Sequence, residues 1–348
     1  MANLYMNGFE WGTVFEWSAF NRMPSSSIKS SDPTPRTGNY CCMLGGSASD
    51  NQGEVFLPPS SEIYFQFALY LPSSHRPNPD EFVYYYTRGG DYLIGALYIS
   101  STGGLYLKTM DPAQITSSNV NYLQLQGGGT TRLSTDKWYV IEIHLKPHVT
   151  AGIFEIRVDG VLDYQYSGWT SSAEYPWVDR LRFYAFWYWY IDDIVVNDTS
   201  GSANNSWPNC MKVVLLRPNS EGSYEEWTAT GEQRHYDHLN EVPPSMDDYL
   251  TAQTSGLRES CHYEGLPEEV ETVAVVRSDA WASRSSGSTL SKLIFEVIPG
   301  STIYQSTETE LGLANLLHSY AWNFNPETSS NWTVDEVNTL QGGFCSEI

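Results

Sequence analysis

Basic residues are scarce in this chain. Lys and Arg number 19 against 41 Asp and Glu, a formal charge of −22. A surface of that sign repels a phosphate backbone and no basic cluster offsets it, so nucleic acid is not expected as a direct partner. Cysteine is also sparse: Cys41, Cys42, Cys210, Cys261 and Cys345 are odd in number and irregular in spacing. They make no disulfide framework, and the adjacent Cys41-Cys42 is not a C-x-x-C metal motif. No run of about 18 apolar residues could cross a bilayer, so membrane insertion is not expected. The opening Met-Ala-Asn-Leu-Tyr-Met lacks the basic n-region and apolar core of a signal peptide, which implies synthesis in a cytoplasm. Long Ala/Leu/Glu/Lys stretches are missing as well, and with them the signature of a helical protein.

Aromatic residues are plentiful, at 14% of the chain. They fall in short alternating runs. Ile63, Phe65, Phe67, Leu69 and Leu71 oppose Tyr64, Gln66, Ala68 and Tyr70, and Tyr139, Ile141, Ile143 and Leu145 share one face of a strand. Phe154, Ile156 and Val158 lead into Asp159-Gly160, a dipeptide suited to the positive φ angles of a type I′ hairpin turn. From Val178 to Asp198 the alternation changes parity. Leu181, Phe183 and Ala185 face one way, whereas Tyr190, Asp192, Ile194 and Val196 follow the opposite phase. A slip of one residue flips every side chain, so two strands, about 180–186 and 189–197, are expected around an aromatic corner.

Many short strands at spacings near ten residues, with Gly turns and no βα alternation, point to an all-β sandwich or barrel. The small, polar segment 198–209 reads as a linker. It would separate a first domain, 1–197, from a second β-rich domain, 210–348. Within the latter, 211–216, 270–277, 292–298 and 319–324 read as strands. Thr333-Val-Asp-Glu336 has the spacing of a capping box opening a short helix, which Gly342-Gly343 would stop.

Four phrases in the first domain resemble the concanavalin-A-like lectin/glucanase superfamily in its laminin-G-like jelly-roll branch. They are Gly8-Phe9-Glu10, Lys137 to Glu142, Phe154 to Gly160, and Tyr190-Ile191-Asp192-Asp193-Ile194. The junction Asn197–Pro208 with Val213–Asn219, and the ending Asn325–Leu340, resemble structural proteins of tailed bacteriophages that join such a domain to a second β-domain. The resemblance implies a non-enzymatic virion component on the particle exterior: a capsid decoration, head fibre or tail-associated protein. Its partners would be other virion proteins and copies of itself. The alternative is a carbohydrate-binding protein that attaches to a host-surface glycan; a polysaccharide-degrading enzyme comes third.

The superfamily includes glycosidases, whose two carboxylates sit about 5 Å apart in retaining enzymes. The Glu-x-Asp-x-x-Glu strand that supplies them in the glucanase branch is absent; the nearest run, Glu155 to Asp159, reads as a solvated outer face. Asp192 and Asp193, with Glu10 from the first strand, admit two readings. They complete an oxygen-ligand calcium site, or they hydrogen-bond a turn and fix the corner; no other cofactor is expected. His235-Tyr-Asp237-His238 lacks a matching third zinc ligand and reads as a surface loop. Trp187, Tyr188, Trp189 and Tyr85 stand in two aromatic clusters whose first reading is core packing, alternate members pointing inward, and whose outward members could meet a partner subunit or a sugar ring.

Overall fold

The computed structural model describes residues 3–45, 51–74, 80–87, 89, 92–111, 123–185, 188–231 and 233–348. Contacts divide the chain into two compact units, Met1–Val213 and Val214–Ile348.

The first unit is a two-sheet sandwich. Its strands in order are β1 (Asn3–Asn7), β2 (Ala19–Asn21), β3 (Ile28–Lys29), β4 (Cys41–Leu44) and β5 (Gln52–Ser60). They continue with β6 (Ile63–Tyr70), β7 (Asp80–Thr87), β8 (Tyr92–Ile99), β9 (Leu105–Met110) and β10 (Leu123–Gly128). The last five are β11 (Trp138–Lys146), β12 (Gly152–Val158), β13 (Val161–Gly168), β14 (Val178–Tyr184) and β15 (Trp189–Asp198). Sheet A runs β13-β12-β11-β6-β15-β4-β3, with β1 also paired to β15. Sheet B runs β10-β9-β8-β7-β14-β5-β2. Every pairing recorded in the two sheets is antiparallel, and neighbours in space are mostly distant in sequence, as a jelly roll requires.

Alternation puts the core where period two demands. Ile63, Phe65, Phe67 and Leu69 of β6 and Ile141, Ile143 and Leu145 of β11 pack from sheet A against Val83, Tyr85, Leu97, Leu107, Leu181 and Phe183 from sheet B. The Asp159-Gly160 turn joins β12 to β13 with both residues at positive φ, 50° and 78°, and Val158 pairs with Val161. Strand β14 lies in sheet B and β15 in sheet A, so the chain changes sheets between them; Phe186 and Trp187 of the expected corner lie outside the described residues.

Strand β15 differs in detail from its expected phase. Trp189 and Ile191 enter the core, and so do Ile194 and Val196. The change of parity is absorbed within the strand, where the register with β6 shifts between Asp192 and Val195 and Asp193 takes φ 50°. Such a bulge lets two residues oppose one. It also marks a change of neighbour: β4 pairs with Trp189–Ile191, and β1 with Ile194–Asn197.

The second unit is built on a mixed-length antiparallel sheet, ordered Pro218–Glu225, Arg258–Tyr263, Gln341–Glu347, Lys292–Ile298 and Tyr304–Gln305, with Thr309–Glu310 beside Lys292–Ile298. A separate pair, Val276–Ala282 and Leu316–Trp322, packs Trp322 with Phe295, Trp332 and Val337. The capping box forms on helix Val334–Asn338, Thr333 and Glu336 exchanging both bonds. Gly342 and Gly343 lie inside the final strand rather than at the helix stop. Residues 211–217 form no strand, and the strand expected at 270–277 begins at Val276.

Candidate functional site

Asp192 and Asp193 come together with Glu10, as the sequence suggested, and they act as a clamp. Asp192 Oδ2 accepts from the backbone N–H groups of Arg36 and Thr37 at 3.0 and 3.2 Å, and Oδ1 from Asp193 N at 2.8 Å. Asp193 Oδ2 accepts from Thr37 Oγ1 at 2.8 Å and pairs with the Arg36 guanidinium; its Oδ1 accepts from Val213 N at 2.7 Å. Glu10 takes Asn39 N and Tyr40 N at 2.8 and 3.1 Å. Gly38 lies between them at φ +59°, and a Cβ there would sit 2.2 Å from the Glu10 carboxyl.

Burial drives the Glu10 carboxyl up to about 7, against the pull of its two N–H donors. Burial, then the neighbouring Asp193, lifts Asp192 to about 9. Asp193 is raised by burial too, with Arg36 opposing. Calcium takes six to eight oxygens converging on one point. Here all six carboxylate oxygens are turned to N–H or O–H donors, so this donor set does not fit the ion. Among the described residues no group of three His, Cys, Asp or Glu side chains is placed to hold a metal.

The same corner corrects the linker expectation. Residues after Asp198 fold back over the outer face of sheet A as a strap. Asn209 N donates to Glu142 of β11 at 2.7 Å. Met211 N donates to Gln66 Oε1 of β6 at 2.9 Å, while Gln66 Nε2 donates to Met211 O at 2.8 Å. Val213 N closes the series on Asp193 of β15. Trp207 lies 3.8 Å from the Arg157 guanidinium and edge-on to Tyr64 at 5.3 Å. The outer face that Glu155 to Asp159 was expected to expose to solvent is therefore partly roofed by the chain itself.

Two of the four aromatic candidates are not available for any surface role. Trp189 is 0% exposed and packs edge-on to Phe82; Tyr85 is 1% exposed, between Phe65 and Phe154. Both take the inward phase of their strands. Tyr188 is half-buried at the corner, and Trp187 lies outside the described residues. His235–His238 is a 3₁₀ turn rather than a plain surface loop. Its Tyr236 and His238 are buried, and His235 meets Glu259 at 3.0 Å.

The outward phase of sheet B carries the constellation that the sequence did not single out. Register places Glu54 (β5), Arg182 (β14), Tyr84 (β7), Ala96 (β8) and Lys108 (β9) in one row across the sheet. Beside it runs Phe56, Arg180 and Tyr86. Arg182 donates from Nε to Glu54 Oε1 at 2.6 Å and from Nη1 to Tyr86 Oη at 3.0 Å. Arg180 reaches Glu54 Oε2 at 3.2 Å and the Gly89 carbonyl, and its guanidinium covers Phe56, which remains 46% exposed. Lys108 pairs with Glu81 and sits 4.4 Å over the Tyr98 ring, itself edge-on to Tyr106 at 6.0 Å. Tyr84, Tyr86, Leu93, Ala96 and Met110 form the floor, a cluster separate from the core, and Trp169 and Tyr184 pack onto it. The segment from β13 to β14 raises one side, with Tyr175 stacked obliquely on Tyr92 at 4.8 Å. Four interstrand steps from β5 to β9 give this face a width of about 19 Å.

No protein-family model matches this chain, and no curated protein does. Solved structures resemble part of this chain at low identity. An alginate lyase, vAL-1 from Chlorella virus, is 12% identical with a TM-score of 0.40, covering 57% of this chain and 99% of its own. The Caenorhabditis elegans galectin LEC-6 is 12% identical with a TM-score of 0.31, covering 44% and 94%. The Bacillus subtilis carbohydrate-binding module CBM66 is 7% identical with a TM-score of 0.30, covering 44% and 91%. At these values neither ligand nor activity passes from them to this chain.

Proposed function

We propose that the Met1–Val213 unit is a glycan-binding module and that the outer face of sheet B is its binding surface. The observation that carries this reading is the row Glu54–Arg182–Tyr84–Ala96–Lys108, flanked by Phe56, Tyr98 and Tyr106. A sugar ring offers apolar C–H faces and a rim of hydroxyl groups. Rings such as exposed Phe56 suit the faces, and planar charged groups held in fixed pairs suit adjacent hydroxyls. Ala96 is fully buried and Tyr84 and Tyr86 are buried, so the open part of this face is at Phe56, Arg180, Arg182 and Lys108. The opposite outer face, on sheet A, is partly taken by the strap.

Binding rather than cleavage is the work proposed. The two carboxylates within the row and its flank are engaged by cations, Glu54 by two arginines and Glu81 by Lys108, while Asp179 and Glu174 at the margin accept from Gly89 N and the Tyr175 hydroxyl. A glycosidase needs one acid free to deliver a proton. A glycan array on the whole protein tests the reading. Phe56→Ala and Arg182→Ala should each weaken binding about tenfold or more with folding intact, on the scale of one charged hydrogen bond or one stacked ring. An array that stays blank, or binding indifferent to both changes, sinks it.

A second reading concerns where such a module works. The likeness of Asn197–Pro208, Val213–Asn219 and Asn325–Leu340 to tailed-phage structural proteins favours a place on the exterior of a virion, in several copies, with the module turned to a host surface. Mass spectrometry and immunogold labelling of purified particles decide it; particles lacking the protein would remove this reading and leave the first untouched.

A further inference from the structure

We propose that the glycan taken by sheet B is anionic, bearing a carboxylate on the sugar, and that Arg182 is the residue that reads it. This rests on the glycan-binding reading above. The first support is the use made of the guanidinium. A guanidinium has five N–H donors in a planar fork. Arg182 uses Nε and one N–H of Nη1, leaving Nη2 and the remaining Nη1 hydrogen on a side chain that is partly open to solvent. Arg180 adds a buried Nε without a hydrogen-bond partner. The open donors of Arg182 ask for an acceptor, whereas the Arg180 Nε is buried out of a ligand's reach, and a planar carboxylate matches the fork in two bonds where a hydroxyl makes one.

The second support is that the site already holds a carboxylate of its own. Glu54 occupies the inner side of both guanidinium groups, one oxygen to each. It ties both to one carboxylate and leaves one excess positive charge over the three groups. Lys108, farther along the row, is a second cation on this face, paired with Glu81. In a chain of net charge −22 an anionic polymer would be repelled from most of the surface, so such a ligand would be taken up only where these cations stand.

The test is calorimetric titration of the whole protein with polygalacturonate oligomers, their methyl-esterified counterparts, and a sulfated neutral glycan of similar length. The uronate should bind, more weakly as salt rises, and its methyl ester at least about tenfold more weakly. Arg182→Gln should cost the uronate about ten- to hundredfold, with Arg182→Lys between, and should cost the ester distinctly less than the uronate. Glu54→Gln, which removes the negative charge between the two guanidinium groups and keeps an acceptor for only one of them, should tighten the uronate and not the ester. Retained thermal midpoints certify that the variants fold. Equal binding of uronate and ester, or of the sulfated glycan over both, overturns the carboxylate assignment while the glycan reading stands. Loss of uronate binding in Glu54→Gln also overturns it, because the pair would then be the site itself rather than its frame. No binding of any glycan overturns both.

Discussion

Glu10 shows how one buried acid can make a fold depend on pH. Its carboxyl is lifted to about 7 from a usual 4.5, chiefly by burial, so the folded chain holds that proton more tightly than the unfolded one. The stabilisation is complete below about pH 4.5 and is lost as pH rises through about 7. Asp192, lifted to about 9, extends the same slope to higher pH. Unfolding followed from pH 4.5 to 8 should therefore show the native protein losing stability across the window. Glu10→Gln should lose less, because it has no proton to give up there. It should also stand about 1 kcal/mol lower at acid pH, since an amide accepts only one of the two N–H donors of Asn39 and Tyr40. Parallel curves for the two proteins would rule this out. The residue scale is also where sequence reading failed most. Tyr84, Tyr85 and Tyr86 are identical letters, and only their register with β8 and β14 decides that the middle one enters the core. Arg182 and Tyr184 were legible as an outward pair. Their meeting with Glu54, more than a hundred residues away, was not, because no local pattern encodes which strands become neighbours.

At the scale of elements, alternation served well wherever one face was buried and the other wet. Strands β6, β11 and β12 follow their written pattern, and the Asp-Gly hairpin closes at the expected place. The strap defeated composition for a physical reason. Its hold on sheet A is made mostly by backbone groups of Asn209, Met211 and Val213, and a backbone N–H has no letter in the sequence. The receiving side chains are Glu142, Gln66 and Asp193, on three adjacent strands. Gln66→Leu should loosen the strap: it leaves the Met211 N–H without its partner in a partly buried site, at a cost of about 1–3 kcal/mol, while the Met211 carbonyl keeps the Arg36 guanidinium. Hydrogen exchange at Met211 and Val213 should accelerate well before the core strands respond. Exchange that stays unchanged there would show that other contacts suffice to hold the segment.

For the whole molecule, the boundary falls after Val213 rather than after Asn197. A fragment of residues 1–213 should fold with a cooperative thermal transition. One ending at 197 should be less stable by several kcal/mol, because Glu142, Gln66 and Asp193 lose their N–H partners and Arg157 loses Trp207. Equal midpoints for the two fragments would return the segment to the role of linker. The all-β class and the sandwich were legible from the sequence, since they follow from strand length, turn spacing and aromatic content. The boundary was not, since it depends on which polar stretch finds acceptors on a sheet.

The strap also decides where a mechanical load enters the first unit. Chain tension applied beyond Val213 does not peel β15 from its free end. It arrives at Met211 and Val213, where Gln66, Asp193 and Arg36 hold the backbone to the middle of sheet A. Several hydrogen bonds on neighbouring strands then share the force, and β15 stays flanked by β6 on one side and by β4 and β1 on the other. A module tethered through its second unit and gripping a ligand on sheet B would be pulled through its stiffest layer.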